Sequence, residues 1–518
     1  MEDGARFHQG EVVTPSPRTG ARVNLAENLE RTARARGRSA ALTVDDRVTT
    51  FAELDRDSRA VAGLLTSRGV LPRDRVGIVL PDVPEFAALY YGVLRVGAIV
   101  VPLDPGLAEP EVTACLRETG VRLLVAWSTT WPDVERPARA VGVETLVLEQ
   151  GTFRELVGDA PASGRLVPSA PGDTAVIQYT AGTTGPPRGA ELTHGNLLRN
   201  CEVVVNDLLQ LTSEDVVFGG LPLAHAFGQT AGLNAAVRTG ACLALLPQFE
   251  PAAALRTLQE RHVTVVQGEP ATYAALLGHP RHPDSDLSRL RVGISVGAAM
   301  SVGVLLGFEE AFDCLVLEGY GLSEAAPWVS FNRRDHRRVG SVGRPATGVE
   351  LRVVDDAGRA VEDGEPGEFL VRGHGVMTGY WDRPEDTAAA VVGGWLRTGD
   401  VGTRDDDGFL YLMDRRQDLI TRDGHRVYPR EVEEVLHEHP DVVDAAVIGR
   451  PHPTLGEEIG AVVTLRPHAR TTGGDLREFV KARVTSHKYP RTVDIVDALP
   501  MTVTGKILKR AIRLETRA

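Results

Sequence analysis

A multidomain α/β fold follows from three features of the chain. Short apolar runs alternate with helix-period segments through the first two thirds, the texture changes after Glu350, and 518 residues exceed what one core usually organises. The strand-like runs are Val76–Leu80, Ile99–Leu103 and Leu123–Ala126, and the helical segment between the first two is Phe86–Arg95. The alternation recurs at Ala241–Leu246 and Val263–Val266, with a helix over Pro251–Arg261 between them. From Glu350, short strands such as Leu351–Val354, Gly367–Gly373 and Gly408–Leu412 are punctuated by turns such as Asp406-Asp407-Gly408. After Asp414 come an amphipathic helix over Pro429–His439, strands at Val442–Gly449 and Ile459–Leu465, and a helix over Asp475–Ser486. The expectation is a large N-terminal domain, 1–414, of parallel α/β sheets plus a small β-rich subdomain. A small α+β C-terminal domain, 415–518, of about 100 residues follows it.

Composition narrows the function classes. Lys plus Arg is 57 and Asp plus Glu is 70, a net charge of −13, which disfavours a nucleic-acid partner. Cys115, Cys201, Cys242 and Cys314 are far apart and form no CxxC or zinc spacing, which points to reduced core thiols in a cytoplasmic protein. Residues Met1 to Pro17 are polar and lack the apolar run of a signal peptide. The longest charge-free stretch, Val292 to Phe308, reads as a buried strand and turn, too short and glycine-rich for a membrane span. Pro161 to Pro171 reads as a surface linker.

Five segments in one order carry the chemistry: Tyr179–Gly189 (YTAGTTGPPRG), Gly319–Glu324 (GYGLSE), Trp395–Asp400 (WLRTGD), Asp414–Asp418 (DRRQD) and Pro500–Lys506 (PMTVTGK). Glycines in the first let backbone approach phosphates, its threonines donate and Arg188 adds positive charge; the GxxxxGK[ST] spacing of a Walker loop is absent. Taken together the five resemble the adenylate-forming superfamily of acyl-CoA synthetases, nonribosomal adenylation domains and beetle luciferases, and most closely a fatty-acid or aryl-acid CoA ligase. The resemblance spans roughly Leu25 to Leu514.

Such enzymes face a common problem: a carboxylate cannot be attacked by a thiol while its leaving group is oxide. ATP converts it to an acyl-AMP whose leaving group is a stabilised phosphate, so catalysis rests on positioning and electrostatics. The resemblance implies ATP, Mg²⁺ and CoA. It puts Thr180, Gly182, Thr183, Thr184, Gly185 and Arg188 on the triphosphate, Tyr320 on adenine with Gly319 and Gly321 beside it, Ser323 on phosphate, and Glu324 with Thr184 on Mg²⁺. Gly297, Ala298 and Ala299 resemble the shelf under adenine and the acyl group. Asp400 resembles the ribose carboxylate, Arg415 its basic neighbour, and Lys506 the mobile lysine that bridges carboxylate and α-phosphate. His225 resembles the histidine at the acyl and thiol gate, and Gly424 the glycine beside the phosphopantetheine arm in a mobile C-terminal domain that turns about Arg415–Asp418. His437 and His439 lack such support and read as exposed residues at a helix end. Four positions depart from the family pattern: Ala181 for Ser, Arg188 for Lys, Ser323 for Thr, which keeps the hydroxyl, and Gln417 for Asp or Lys.

By resemblance the acyl pocket is walled by His225–Gly232, Gly268–Thr272, Ala298-Ala299 and Gly319–Ala326, mostly small or apolar residues with Glu269 the exception. No basic residue is there to pair a second carboxylate and no Asp to hold an α-amino group, so a fatty, aryl or polycyclic acid is expected. The reading is an acid–thiol ligase with CoA as acceptor. Its rivals load an acyl carrier protein or another nucleophile, nitrite included, or are non-catalytic nucleotide binders. A homodimer is the remaining partner that the resemblance admits, and no membrane span is expected.

Overall fold

The computed structural model describes residues 23–158, 166–180, 187–280, 282, 285–501 and 507–515. They build four sheets. In the first, strands run in the order Glu144–Leu148, Leu123–Trp127, Arg75–Val79, Ile99–Pro102, Thr174–Tyr179 and Gly189–Thr193, parallel except for the last pair. The second has nine strands. Its parallel centre runs Leu315–Gly321, Val292–Ser295, Val265–Gly268, Val216–Gly219, Cys242–Leu245 and Ala40–Val44, with antiparallel strands at both margins.

Parallel strands need helical crossovers, and helices on their faces leave the strands apolar throughout, as in the fully buried Leu123–Trp127. One helix, Pro84–Arg95, has every residue buried, and one apolar core takes in Phe86 and Leu94 on it, Val76 and Ile78 of the first sheet, and Leu42 and Leu243 of the second. Its only basic residue, Arg95, is held by a neighbouring helix, donating to Ser58 Oγ at 2.8 Å with Asp55 beside it. That neighbour, Phe51–Ser67, begins with a reciprocal Thr50–Glu53 cap.

The third sheet is antiparallel, built from Val349–Val354, Gly367–Gly373, Trp395–Arg404, Val391–Val392 and Leu410–Arg415. The fourth carries His425–Val427, Ile420–Arg422, Gly456–Leu465, Val442–His452 and Thr492–Ile495, backed by helices Pro429–His437 and Gly473–Lys481 around their own apolar core. The α/β expectation therefore holds, with mixed rather than purely parallel sheets. The four cysteines form no bridge among the described residues, and no described helix is long and apolar enough to cross a membrane.

Two expectations shift. The charge-free stretch from Val292 is strand only to Ser295; Ser301 then caps a helix over Val302–Phe312 by accepting from Val304 N. An uncharged run carries no period that separates strand from helix, and the cap residue decides. The last long helix ends at Lys481, not Ser486.

Candidate active site

The site forms where the ends of strands from three sheets meet. A cavity of about 440 Å³ is lined by Thr180, Arg188, His225, Gly297, Gly321, Ser323, Glu324, Asp400 and Arg415, nine residues that the motifs had singled out. A second cavity of about 250 Å³ shares Gly297, Gly321, Asp400 and Arg415 with it and adds Ala298, Ala299, Gly319 and Tyr320. Its far wall is C-terminal: Arg430, Glu433 and Ile507 to Arg510. Arg430 donates to Leu412 O at 2.7 Å, and its backbone N–H to Asp414 Oδ2 at 2.9 Å, so the fourth sheet's first helix is latched to the third sheet's last strand.

Asp400 is the polar hub of the shared wall. It is 5 % exposed, accepts from Tyr320 Oη at 2.6 Å, and lies 3.3 Å from Arg415 Nε. Cross-strand register sets Arg415 directly opposite Asp400, which is why two residues so far apart in the motif string form one unit. Burial, with the Asp400 charge beside it, pushes the Tyr320 hydroxyl well above the ordinary tyrosine range, so Tyr320 stays a donor.

Glu324 sits on the short turn after the Leu315–Gly321 strand. Burial raises its carboxyl above the usual range, opposed by the Tyr380 hydroxyl, which donates to Oε1 at 2.9 Å, and by the charge of Arg415. The Tyr380 ring also carries the Arg188 guanidinium, 5.3 Å from its centroid, and Arg188 Nη2 is 3.2 Å from Asp386 Oδ1. A single buried carboxylate suits Mg²⁺, which takes few protein oxygens and keeps the rest for phosphate and water. Among the described residues no group of three or more potential metal ligands exists, so the donor set fits a metal brought in with the nucleotide.

His225 lines the larger cavity. Its Nε2 is 2.7 Å from Asp104 Oδ2. Burial pushes the Asp104 carboxyl up, but hydrogen bonding and charge from His225 outweigh it and leave it below the ordinary value. Asp82, which accepts from Leu223 N at 2.8 Å, has no such partner, and burial carries it up to about 7. The turn requires Gly228, because a Cβ there would stand 2.2 Å from Pro222 O. Gly297 has φ +94°, and Glu269 Oε1 lies 3.0 Å from where its Cβ would be, so Glu269 faces the cavity rather than away from it.

Not every expected residue is in view or in place. Gly182, Thr183, Thr184, Gly185 and Lys506 lie outside the described residues. Gly424 is a tight-turn glycine with φ +76° and lines neither cavity. His437 is exposed as expected, but His439 is half-buried against Phe479, and neither lines the two cavities. Tyr380, Asp386 and Asp104 were missed; they reach their partners over 56, 198 and 121 residues of chain, and no local pattern marks them.

The chain matches the AMP-binding enzyme family over residues 29–381 and the AMP-binding enzyme C-terminal domain over 431–506. The chain belongs to the AMP-binding enzymes. It is 36 % identical over 471 residues to a feruloyl-CoA synthase of an Amycolatopsis species, covering 90 % of this chain and 93 % of that one. It is 32 % identical over 499 residues to a long-chain-fatty-acid–CoA ligase of Bacillus subtilis, covering 89 % of each. The solved anthranilate CoA ligase with anthranoyl-AMP superposes with a TM-score of 0.89 at 29 % identity, over 95 % of this chain and 97 % of that one. The AMP-binding enzyme described here is thus an ATP-dependent acid–CoA ligase that works through an acyl adenylate.

Proposed function

We propose that this ligase activates a carboxylic acid with an apolar body, fatty, aryl or polycyclic, and that the residues gathered at the two cavities divide the work by chemistry. Asp400 holds the ribose hydroxyls, Tyr320 and the Gly297–Ala299 shelf take adenine, and Arg188 with Thr180 and Ser323 faces the phosphates. Glu324 is the protein's ligand for Mg²⁺, whose charge, when bound, offsets that of the triphosphate. Lys506 neutralises the charge that builds between the acyl carboxylate and the α-phosphate during adenylation. His225, aligned by Asp104, stands between the acyl chamber and the thiol, and Arg415–Asp418 is the hinge between 1–414 and 415–518. CoA is the acceptor; an acyl carrier protein is the second reading of that step.

One observation supports the reading above the rest: Asp400, which accepts from Tyr320, the buried carboxylate Glu324 and His225 line one cavity, as contiguous ribose, phosphate and acyl subsites require. The test is pyrophosphate release over a panel of aliphatic, aryl and polycyclic acids, with and without CoA, with acyl-CoA followed by mass. Lys506→Ala should lower acid-dependent release about 100-fold or more while acyl transfer from preformed acyl-AMP persists. Undiminished adenylation in that variant removes the lysine from its role, and release without thioester moves the acceptor to a carrier protein.

A further inference from the structure

One carboxylate beside the glycine-rich segment is held between two arginines. Asp386 lies in the first turn of the helix Pro384–Ala390. Its Oδ1 is 3.2 Å from Arg188 Nη2, and its Oδ2 is 3.5 Å from Arg383 Nη1. Arg383 in turn donates from Nη2 to Glu118 Oε2 at 3.3 Å, and the Tyr179 hydroxyl donates to the same oxygen at 3.2 Å. Tyr179 and Arg188 thus enter one chain of contacts from opposite flanks of the glycine-rich segment.

Backbone contacts set the two partners against each other. Trp381 N donates to Gly189 O at 2.8 Å, next to Arg188, and Tyr380 N donates to Thr387 Oγ1 at 2.8 Å, next to Asp386. The Arg188–Asp386 contact is therefore braced from both sides.

Charge decides what this contact does. Arg188 and Arg383 are balanced by Asp386 and Glu118, so the group carries no net charge before an anion arrives. A carboxylate that served only to orient the guanidinium would stand behind it, away from the ligand. Asp386 instead lines the same cavity as Arg188, Thr180 and Glu324, with 33 % of its side chain exposed. Phosphate oxygens that reach Arg188 meet a like charge already paired with the cation, and the two must exchange.

We propose that Asp386 is a positioning residue, a resident counter-ion that the phosphates of ATP displace from Arg188 and that reclaims the cation as pyrophosphate leaves. This rests on the reading of Arg188 as a phosphate ligand. Asp386 then lowers the affinity for ATP and for pyrophosphate together, and product inhibition is weaker for its presence.

The experiment measures the dissociation constant of magnesium-ATP without acid and the inhibition constant of pyrophosphate during acyl-CoA formation, with adenosine as the phosphate-free control. Asp386→Asn, close in volume, should lower both constants about two- to fivefold, the range of a part-exposed ion pair, and leave that of adenosine unchanged. General loosening of the fold does not tighten binding. In an Arg188→Met background the same substitution should have no effect, because its route to the phosphates is gone. Asp386→Ser, also uncharged, repeats the measurement if the asparagine variant does not fold. Equal or weaker binding of ATP and pyrophosphate in a folded Asp386 variant overturns the proposal, as does a gain of full size without Arg188. The phosphate reading of Arg188 survives both results if Arg188→Met alone weakens the two ligands. Unaltered constants in Arg188→Met count against both.

Discussion

Tyr380→Phe isolates one hydrogen bond at the centre of the site. The hydroxyl donates to Glu324 Oε1 across 2.9 Å, while the ring beneath it carries Arg188. Phenylalanine keeps the ring and removes the hydroxyl, which donates to Glu324 and also interacts with Arg188. Burial already holds the Glu324 carboxyl above its ordinary range, and the tyrosine bond works against that rise, so its loss must push the carboxyl further up. A hydrogen bond to a charged group is worth about 1.5–3 kcal/mol; the lower end, about 1.5 kcal/mol, corresponds to roughly tenfold in the ratio of ionised to protonated Glu324. If the ionised carboxylate is the form that holds Mg²⁺, the acid limb of kcat/KM for pyrophosphate release moves to higher pH. The variant then loses about tenfold on that limb and little on the alkaline plateau. Pyrophosphate release measured from pH 5.5 to 9 reads this directly. A loss of the same size at every pH, or an acid limb that stays where it was, would show that Tyr380 does not tune Glu324.

Two further outcomes test other parts of the site. Asp82 has a folded-state pKa of about 7 against an ordinary 3.8, so its contribution to stability is present below about pH 4 and is lost as pH rises through 7. Asn mimics the protonated form and keeps an oxygen for Leu223 N, so Asp82→Asn should melt progressively higher than wild type as pH rises from 4 to 8. The full shift corresponds to about 4 kcal/mol, and the part of Asp82 left in contact with solvent brings the expected gain to about 2 kcal/mol; a melting difference independent of pH contradicts it. Arg188→Lys keeps the charge but gives up the planar fork between Asp386 and the Tyr380 ring, and should raise KM for ATP about two- to fivefold. Unaltered ATP kinetics would remove Arg188 from the phosphate site.

Local order in the chain made much of this visible. The parallel strands announced themselves as short apolar runs, and each motif was read as a contiguous string because glycines and hydroxyls must be neighbours to wrap a phosphate. The rest depends on pairing between distant segments. Nothing near Tyr380 marks it as the partner of Glu324, and Asp104 becomes the partner of His225 only once the first sheet is packed against the loop after Val216–Gly219.

The pairing of Arg415 with Asp400 has a thermodynamic corollary. Arg415 is the last residue of its strand, and the chain leaves the third sheet immediately after it, through Arg416, whose Nη1 donates to Glu368 Oε2 at 2.9 Å. On the proposed roles, with Asp400 anchoring the ribose and Arg415–Asp418 as the hinge, one cation belongs to both. Any rotation that disturbs Arg415 changes the field at Asp400, and any ligand that engages Asp400 changes the energy of that rotation by the same amount. If those roles hold, nucleotide affinity and domain angle are linked through this one pair, and release of AMP and movement of the C-terminal unit are coupled by it.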